Sequence, residues 1–192
     1  MFSGVRLTIL ALLLALAPFD AGAQTPKPLG AEDAVRAYAA AQISRAAVRD
    51  QLDLCAEDAD KLDQVFTKLR PAGAADRSDW TDWGDLFRRI GGELKACLRS
   101  YAKQVALHSR DIALLRERLP LLKEPKRLSI SPKQVTAINA YVAGLDKELA
   151  GYAARARGMA NSAELASGRV GAMLREAGVA KIDLPQGFGD GL

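Results

Sequence analysis

The feature that most constrains the fold is a match between two apolar seams, each of which contains one of the two cysteines. Both seams advance mainly in alternating steps of four and three residues, the spacing by which helices pack in coiled coils. The first seam is Val48, Leu52, Cys55, Ala59, Leu62, Phe66 and Leu69. The second, which departs from the period just after Cys97, is Trp80, Trp83, Phe87, Ile90, Leu94, Cys97, Tyr101, Val105, His108, Ile112, Leu115 and Leu119.

The turn between the seams fixes how they face each other. Pro71 ends the first helix, predicted over 31–70, and Asp79 is a suitable N-cap for the second, predicted to end near residue 119. If the chain reverses near residue 76, the numbers of facing residues sum to about 152, as those of Cys55 and Cys97 do. We therefore predict a Cys55–Cys97 disulfide clamping a helical hairpin, which contributes about 4 kcal/mol in the chain-entropy model.

A third seam follows a proline-rich connector at 120–132. The residues Ser131-Pro132-Lys133-Gln134 form a capping-box pattern, which predicts a helix start. The seam runs in strict three-four alternation from Val135 to Ala177, and a break near Gly158 is left open. The predicted fold class is all-α. It is an elongated antiparallel three-helix bundle, or a four-helix bundle if the third helix breaks, with coiled-coil-like heptad packing and one disulfide-clamped hairpin.

The N-terminus has the pattern of a secretory signal peptide. Arg6 precedes an uncharged apolar stretch, Leu7 to Ala17, and Ala21-Gly22-Ala23 is a small-residue cleavage site. Because a stretch of about 11 residues is too short to span a bilayer, we expect cleavage near Ala23 and a periplasmic or secreted protein; an uncleaved anchor is the alternative. We assign 1–23 to the signal peptide, 24–30 to a flexible lead-in, 31–180 to a single helical-bundle domain and 181–192 to an irregular tail.

Charge is distributed unevenly along the chain. The net formal charge is +4, but residues 86–133 carry 12 basic and 4 acidic side chains, whereas residues 31–70 carry 6 basic and 8 acidic ones. The basic segment either attracts an anionic partner or is compensated by the acidic first helix. An acidic protein or another anionic surface suits an exported protein, and nucleic acid does not. The candidate partner-binding residues are Trp80, Arg88, Lys95, Arg99, Lys103 and Arg110.

Catalytic constellations are absent from the sequence. There is one histidine and two cysteines, and there is no nucleophile elbow, phosphate-binding loop or zinc motif. His108 lies 11 residues, about 16 Å along a helix, from Cys97, which is too far to share a metal ion. We interpret His108 as a core histidine with a hydrogen-bond partner; a metal ligand or a pH-sensitive packing switch are the alternatives. The sequence thus predicts no enzyme, no cofactor and no metal.

Two functions fit these observations. The first is a non-enzymatic interaction or adaptor module for another cell-envelope protein, with an inhibitor or immunity protein as one specific form. The second follows from a resemblance: Ile130 to Gln134 is similar to the LTxxQ motif of small periplasmic helical stress chaperones, with Ile130 and Ser131 in place of Leu and Thr. That resemblance implies a chaperone that binds unfolded clients. Long heptad seams also pair between chains, so a homodimer is possible.

Overall fold

The computed structural model describes residues 29–69, 77–123, 130–179 and 182–192. The predicted signal peptide and the lead-in up to residue 28 lie outside these residues, as do parts of the turn and the connector. The described residues contain three long helices and no strand: α1 (Ala31–Leu69), α2 (Arg77–Arg118) and α3 (Pro132–Glu176). A short 3-10 helix, Leu119–Lys123, extends the end of α2. The predicted all-helical class is confirmed.

The helices α1 and α2 form an antiparallel hairpin. Cys55 and Cys97 are joined by a disulfide, with 5.5 Å between their Cα atoms. Further along, Ser44 Oγ lies 2.9 Å from His108 Nδ1. Both pairs have residue numbers that sum to 152. The predicted disulfide is therefore confirmed, together with the register near residue 76 on which it depended.

The structure corrects one predicted helix start and confirms another. The helix α2 begins at Arg77, so Asp79 lies in its first turn and does not precede it as a cap. A carboxylate there still interacts favourably with the positive end of the helix dipole. At the start of α3 the capping box is confirmed: the Ser131 side chain accepts from the Gln134 backbone N–H, and the Gln134 side chain accepts from the Ser131 N–H.

The helix α3 is continuous over 45 residues and runs parallel to α1. The Tyr141 hydroxyl donates to the carbonyl of Ala41 (3.1 Å), and Arg155 pairs with Asp53 (2.7 Å) further along both helices. Gly158 does not break the helix.

The buried apolar residues form two clusters. We call the first the disulfide cluster, because it surrounds Cys55; its largest members include Phe87, Leu94, Leu98, Tyr101 and Phe188. We call the second the alanine cluster, because four alanines of α1 pack there against α2, the 3-10 helix and α3: Ala31, Ala34, Ala37 and Ala41. A layer of polar side chains lies between the two clusters.

The C-terminal tail, residues 182–192, is irregular but anchored. Phe188 is 1% exposed within the disulfide cluster, and the Ser167 hydroxyl donates to the Pro185 carbonyl at 2.7 Å. This contact explains a shift in α3. The seam predicted Met159, Ala166 and Met173, but these are partly buried, and the deeper positions are Ala160, Ser167 and Leu174. At this end of α3, Ser167 and Leu174 lie beside residues of the tail.

Candidate functional site

Trp80 lies in the core at the turn end of the hairpin. Its side chain is 8% exposed and belongs to the disulfide cluster. Trp80 is therefore a core residue, as its place in the second seam indicates, and little of its indole surface is left for a partner.

Two of the five candidate cations are used inside the molecule. Arg88 pairs with Asp85 of the preceding turn, with 2.9 Å between nitrogen and oxygen. The Lys95 ammonium donates to the Gln186 carbonyl and thereby helps to hold the tail. Both side chains carry their charge at the surface, but contacts within the chain account for their positions, so a partner protein is not needed to explain them.

The other three cations, Arg99, Lys103 and Arg110, are exposed. Within the described residues none of them forms an ion pair or a side-chain hydrogen bond. Two large apolar side chains accompany them: Leu107 is 49% exposed and Leu114 is 41% exposed. We call these five residues the basic-apolar ridge of α2.

The spacing of the ridge residues places their side chains on one side of α2. From Lys103 to Leu114 its members follow one another in steps of four, three and four residues. Side chains at these steps share one side of a helix. The ridge therefore presents alternating positive and apolar groups along one line.

The ion pairs found among the described residues do not involve the cations of the ridge. The pairs observed between helices in the described residues join α3 to α1 or to α2: Arg45–Glu148 (2.7 Å), Asp53–Arg155 (2.7 Å) and Arg116–Asp146 (2.8 Å). The described part of the chain shows no ion pair between α1 and α2. The acidic first helix thus leaves the three cations of the ridge without a direct counter-charge.

The polar layer between the clusters is centred on His108, which is 1% exposed. His108 forms a hydrogen bond with Ser44. Next to this pair, Arg45 Nε donates to Glu148 Oε1 at 2.7 Å, and the Tyr152 hydroxyl donates to the same oxygen. The Arg45 guanidinium also lies 5.5 Å from the ring centre of Tyr141. His108 therefore has the hydrogen-bond partner that was predicted.

Burial and charge set the protonation of this layer. Burial lowers the pKa of His108 from its usual 6.5, although Asp111 and Glu148 act in the opposite direction. Burial also raises the pKa of Tyr141 to about 12. For Glu148, burial disfavours the charged form, but the hydrogen bonds from Tyr152 and Arg45 together hold its pKa below the usual value. The layer thus contains a neutral imidazole beside an ionised carboxylate.

The polar layer is internally satisfied. Across the described residues, every buried side-chain nitrogen or oxygen has a hydrogen-bond partner. No group of three or more His, Cys, Asp or Glu side chains within the described ranges is arranged to hold a metal ion. The contacts of this layer are those of a packing element that fixes helix register.

A cleft of about 670 Å³ lies between the end of α3 and the tail. Its charged lining residues include Arg175 and Asp183, whose side chains are exposed. The Ser167 hydroxyl at its edge is already bonded to the tail. The described residues that line the cleft do not include the converging buried polar groups that fix the orientation of a small ligand.

Comparison with known protein families, curated proteins and solved structures finds no match for this chain. Across the described ranges, no helix is both long enough and apolar enough to cross a membrane. Function is therefore inferred from the surfaces of the chain itself, and the basic-apolar ridge is the candidate site. Leu107 and Leu114 were not among the residues predicted from the sequence, although their spacing of three or four residues from Lys103 and Arg110 indicates a shared helix side.

Proposed function

We propose that this protein is an exported, non-enzymatic interaction module that binds a partner protein of the cell envelope through the basic-apolar ridge of α2. The observation that carries the proposal is the combination, on one line of a helix, of two half-exposed leucines and three cations that have no ion-pair partner among the described residues. An inhibitor or immunity protein is one specific form of such a module.

Packing of the three helices against one another would hold the ridge rigid, and this supports the proposed function. We propose that the three helices pack as an elongated bundle with coiled-coil-like heptads. Every seventh residue of α1 is buried along its length: Ala34, Ala41, Val48, Cys55, Leu62 and Leu69. A preorganised surface loses less conformational entropy when it binds than a flexible one does.

The chemistry of the ridge indicates the kind of partner. Leucines seven residues apart are suitable anchors for a facing helix, and the cations between and beside them select carboxylates. The partner we propose therefore presents an exposed helix with acidic and apolar side chains at matching spacing. The predicted signal peptide and the disulfide favour an oxidising, exported location.

The test is quantitative cross-linking in the cell envelope, read by mass spectrometry. The test variant combines Arg99→Glu, Lys103→Glu and Arg110→Glu. A matched control reverses three exposed cations of α3: Lys133→Glu, Lys147→Glu and Arg169→Glu. We expect one dominant adduct near equal amounts in the wild type and the control, and its loss in the ridge variant.

Two results would contradict the proposal. Many adducts at low occupancy would indicate general client binding, as in the chaperone alternative. Equal losses in the ridge variant and the control would show that net charge matters but the ridge does not.

A further inference from the structure

The helix α1 of the same chain carries a row of exposed acidic and apolar side chains, the kind of surface that would complement the basic-apolar ridge. Ile43 is 73% exposed and Leu54 is 53% exposed. Two exposed acidic residues follow them: Asp50 is seven residues after Ile43, and Glu57 is three residues after Leu54. These four side chains share one side of α1. They form an acidic-apolar ridge.

Both ridges lie on the same side of the hairpin. On α1, Arg45 and Asp53 contact α3 and mark one flank, and the acidic-apolar ridge occupies the other. On α2, Gly84 and Gly91 face Ile182, Leu174 and Pro185 and mark the flank toward α3 and the tail. Helical periodicity places Leu107 and Leu114 on the opposite flank. We call the side of the hairpin away from α3 the open face.

The open face is where most exposed large apolar side chains lie. Six such side chains are exposed in the described residues, and four of them are on this face: Ile43, Leu54, Leu107 and Leu114. A concentration of this kind indicates an interaction surface, whereas scattered single side chains do not.

We infer that the open face binds a second copy of this chain, about a two-fold axis parallel to the helices. This inference rests on the proposed function, because it names the partner of the basic-apolar ridge. In this arrangement α1 of one copy lies antiparallel on α2 of its partner at the same level. Facing residues between copies therefore follow the same register as Cys55 and Cys97 within one copy.

The register brings opposite charges together. Asp50 faces Lys103 of the partner subunit, and Ile43 lies beside the partner's Leu107. Two further pairs within two residues of this register also have opposite charges: Lys61 with the partner's Glu93, and Arg36 with the partner's Glu117. Within one copy, Lys61 already pairs with Asp58 and Arg36 with Asp33, so these contacts add less than that of Asp50. The two-fold axis repeats each pair. An axis perpendicular to the helices would instead lay α2 on α2, so that Arg99, Lys103 and Arg110 would meet cations, which is unfavourable.

The size of the face suits a stable dimer. From Arg36 to Lys68 the hairpin is about 48 Å long, and two packed helices are about 18 Å wide. Allowing for the curved edges, about 800 Å² of each copy would be covered. That is the usual area for one side of a specific protein–protein interface.

The test is the solution mass of the mature, oxidised protein, measured by light scattering and sedimentation over a range of concentrations. We expect twice the chain mass for the wild type. Asp50→Lys and Lys103→Glu should each weaken association at least tenfold, and the double variant, which exchanges the two charges, should restore it. Leu107→Glu should also weaken association. Leu165→Glu is the matched control, because Leu165 is 67% exposed on α3, and it should leave the mass unchanged.

Thermal unfolding of each variant separates association from folding. A charge reversal that acted only within one hairpin would change the unfolding temperature of the monomer but not the association constant. The inference is overturned if the wild type is monomeric at every concentration, or if the double variant associates no better than the single ones.

The outcomes also separate this inference from the proposed function. A monomer that still cross-links to another envelope protein through the ridge overturns the dimer and supports the interaction module. A dimer with charge-exchange rescue, combined with no other adduct in the envelope, supports the inference and shows that the ridge binds a second copy and no other envelope protein.

Discussion

The two ends of this molecule are built differently. The disulfide cluster contains large side chains, a covalent link and an anchored tail. In the alanine cluster, α1 contributes mainly methyl groups, and Ile112, Leu115, Ile138 and Leu145 supply most of the apolar volume. Because buried apolar area is the main favourable contribution to folding, we expect the disulfide end to be the more stable one. One regular helical pattern can therefore contain two regions of unequal local stability.

The largest expected effect comes from removing the covalent link. Cys55→Ala with Cys97→Ala should lower the free energy of unfolding by about 4 kcal/mol, because the unfolded chain regains the entropy of an open loop. Hydrogen exchange should then rise most around residues 48–62 and 87–101. Chemical reduction of the wild type is the matching control. A loss below about 1 kcal/mol would contradict this ranking of the ends.

A smaller effect is expected at the tail. Phe188→Ala should cost about 3 kcal/mol, since it empties a fully buried aromatic site. Protease cleavage within 182–192 should increase at the same time. Leu192→Ala, at a half-buried position, is the control and should cost clearly less. Equal costs would show that the tail is not anchored by Phe188.

The polar layer at the boundary between the ends should respond to pH. His108 is the only histidine, and its pKa is lowered on folding by burial. The unfolded chain then binds more protons than the folded chain below the usual pKa of 6.5. Stability should therefore fall as the pH falls from about 7, and level off below the folded pKa of His108. Each unit by which that pKa is lowered corresponds to about 1.4 kcal/mol.

Denaturant unfolding of the wild type and of His108→Gln across this range checks the assignment. The slope should disappear in the variant, whose amide retains a hydrogen-bonding group toward Ser44. Glu148 should add a separate loss at lower pH, because its pKa is held below the usual value of 4.5. An unchanged slope in His108→Gln would contradict the role assigned to His108.

The smallest effect is expected from glycines on the outer side of α3. A Cβ at Gly144 or Gly158 would meet no other group within 4 Å. Alanine at either position should stabilise the helix by about 0.5–1 kcal/mol, because glycine loses more backbone entropy. If the ends open separately, Gly144→Ala should slow hydrogen exchange mainly near the alanine cluster and Gly158→Ala mainly near the disulfide cluster. Identical exchange profiles would indicate a single cooperative unit.

Sequence periodicity was sufficient for the hairpin and not for the tail. Helix geometry and the position of the turn together place Cys55 opposite Cys97, and both are local properties of the sequence. The burial of Phe188 depends on a groove beside Gly84 and Gly91 that forms only when α2 and α3 meet. The deeper positions of Ser167 and Leu174 in α3 follow from that same contact, and no local pattern contains it.

The positive charge of the candidate site could be predicted from the sequence, but which of its cations have partners within the chain could not. The excess of basic residues in α2 was evident from composition. The structure was needed to show that Lys95 bonds to the tail and that Arg88 has its own carboxylate, whereas Arg99, Lys103 and Arg110 have no such partner in the part of the chain that the structure describes. Whether a side chain is free depends on its neighbours in space, which composition does not report.

The most direct test of the basic-apolar ridge as a binding surface is hydroxyl-radical footprinting. The protein would be labelled in the cells that produce it and, separately, purified at high dilution. We predict that Leu107 and Leu114 are oxidised several-fold less in the cells, while the more exposed Leu165 is oxidised equally in both. Equal oxidation of Leu107 and Leu114 in the two samples, or protection of Leu165 alone, would contradict the account.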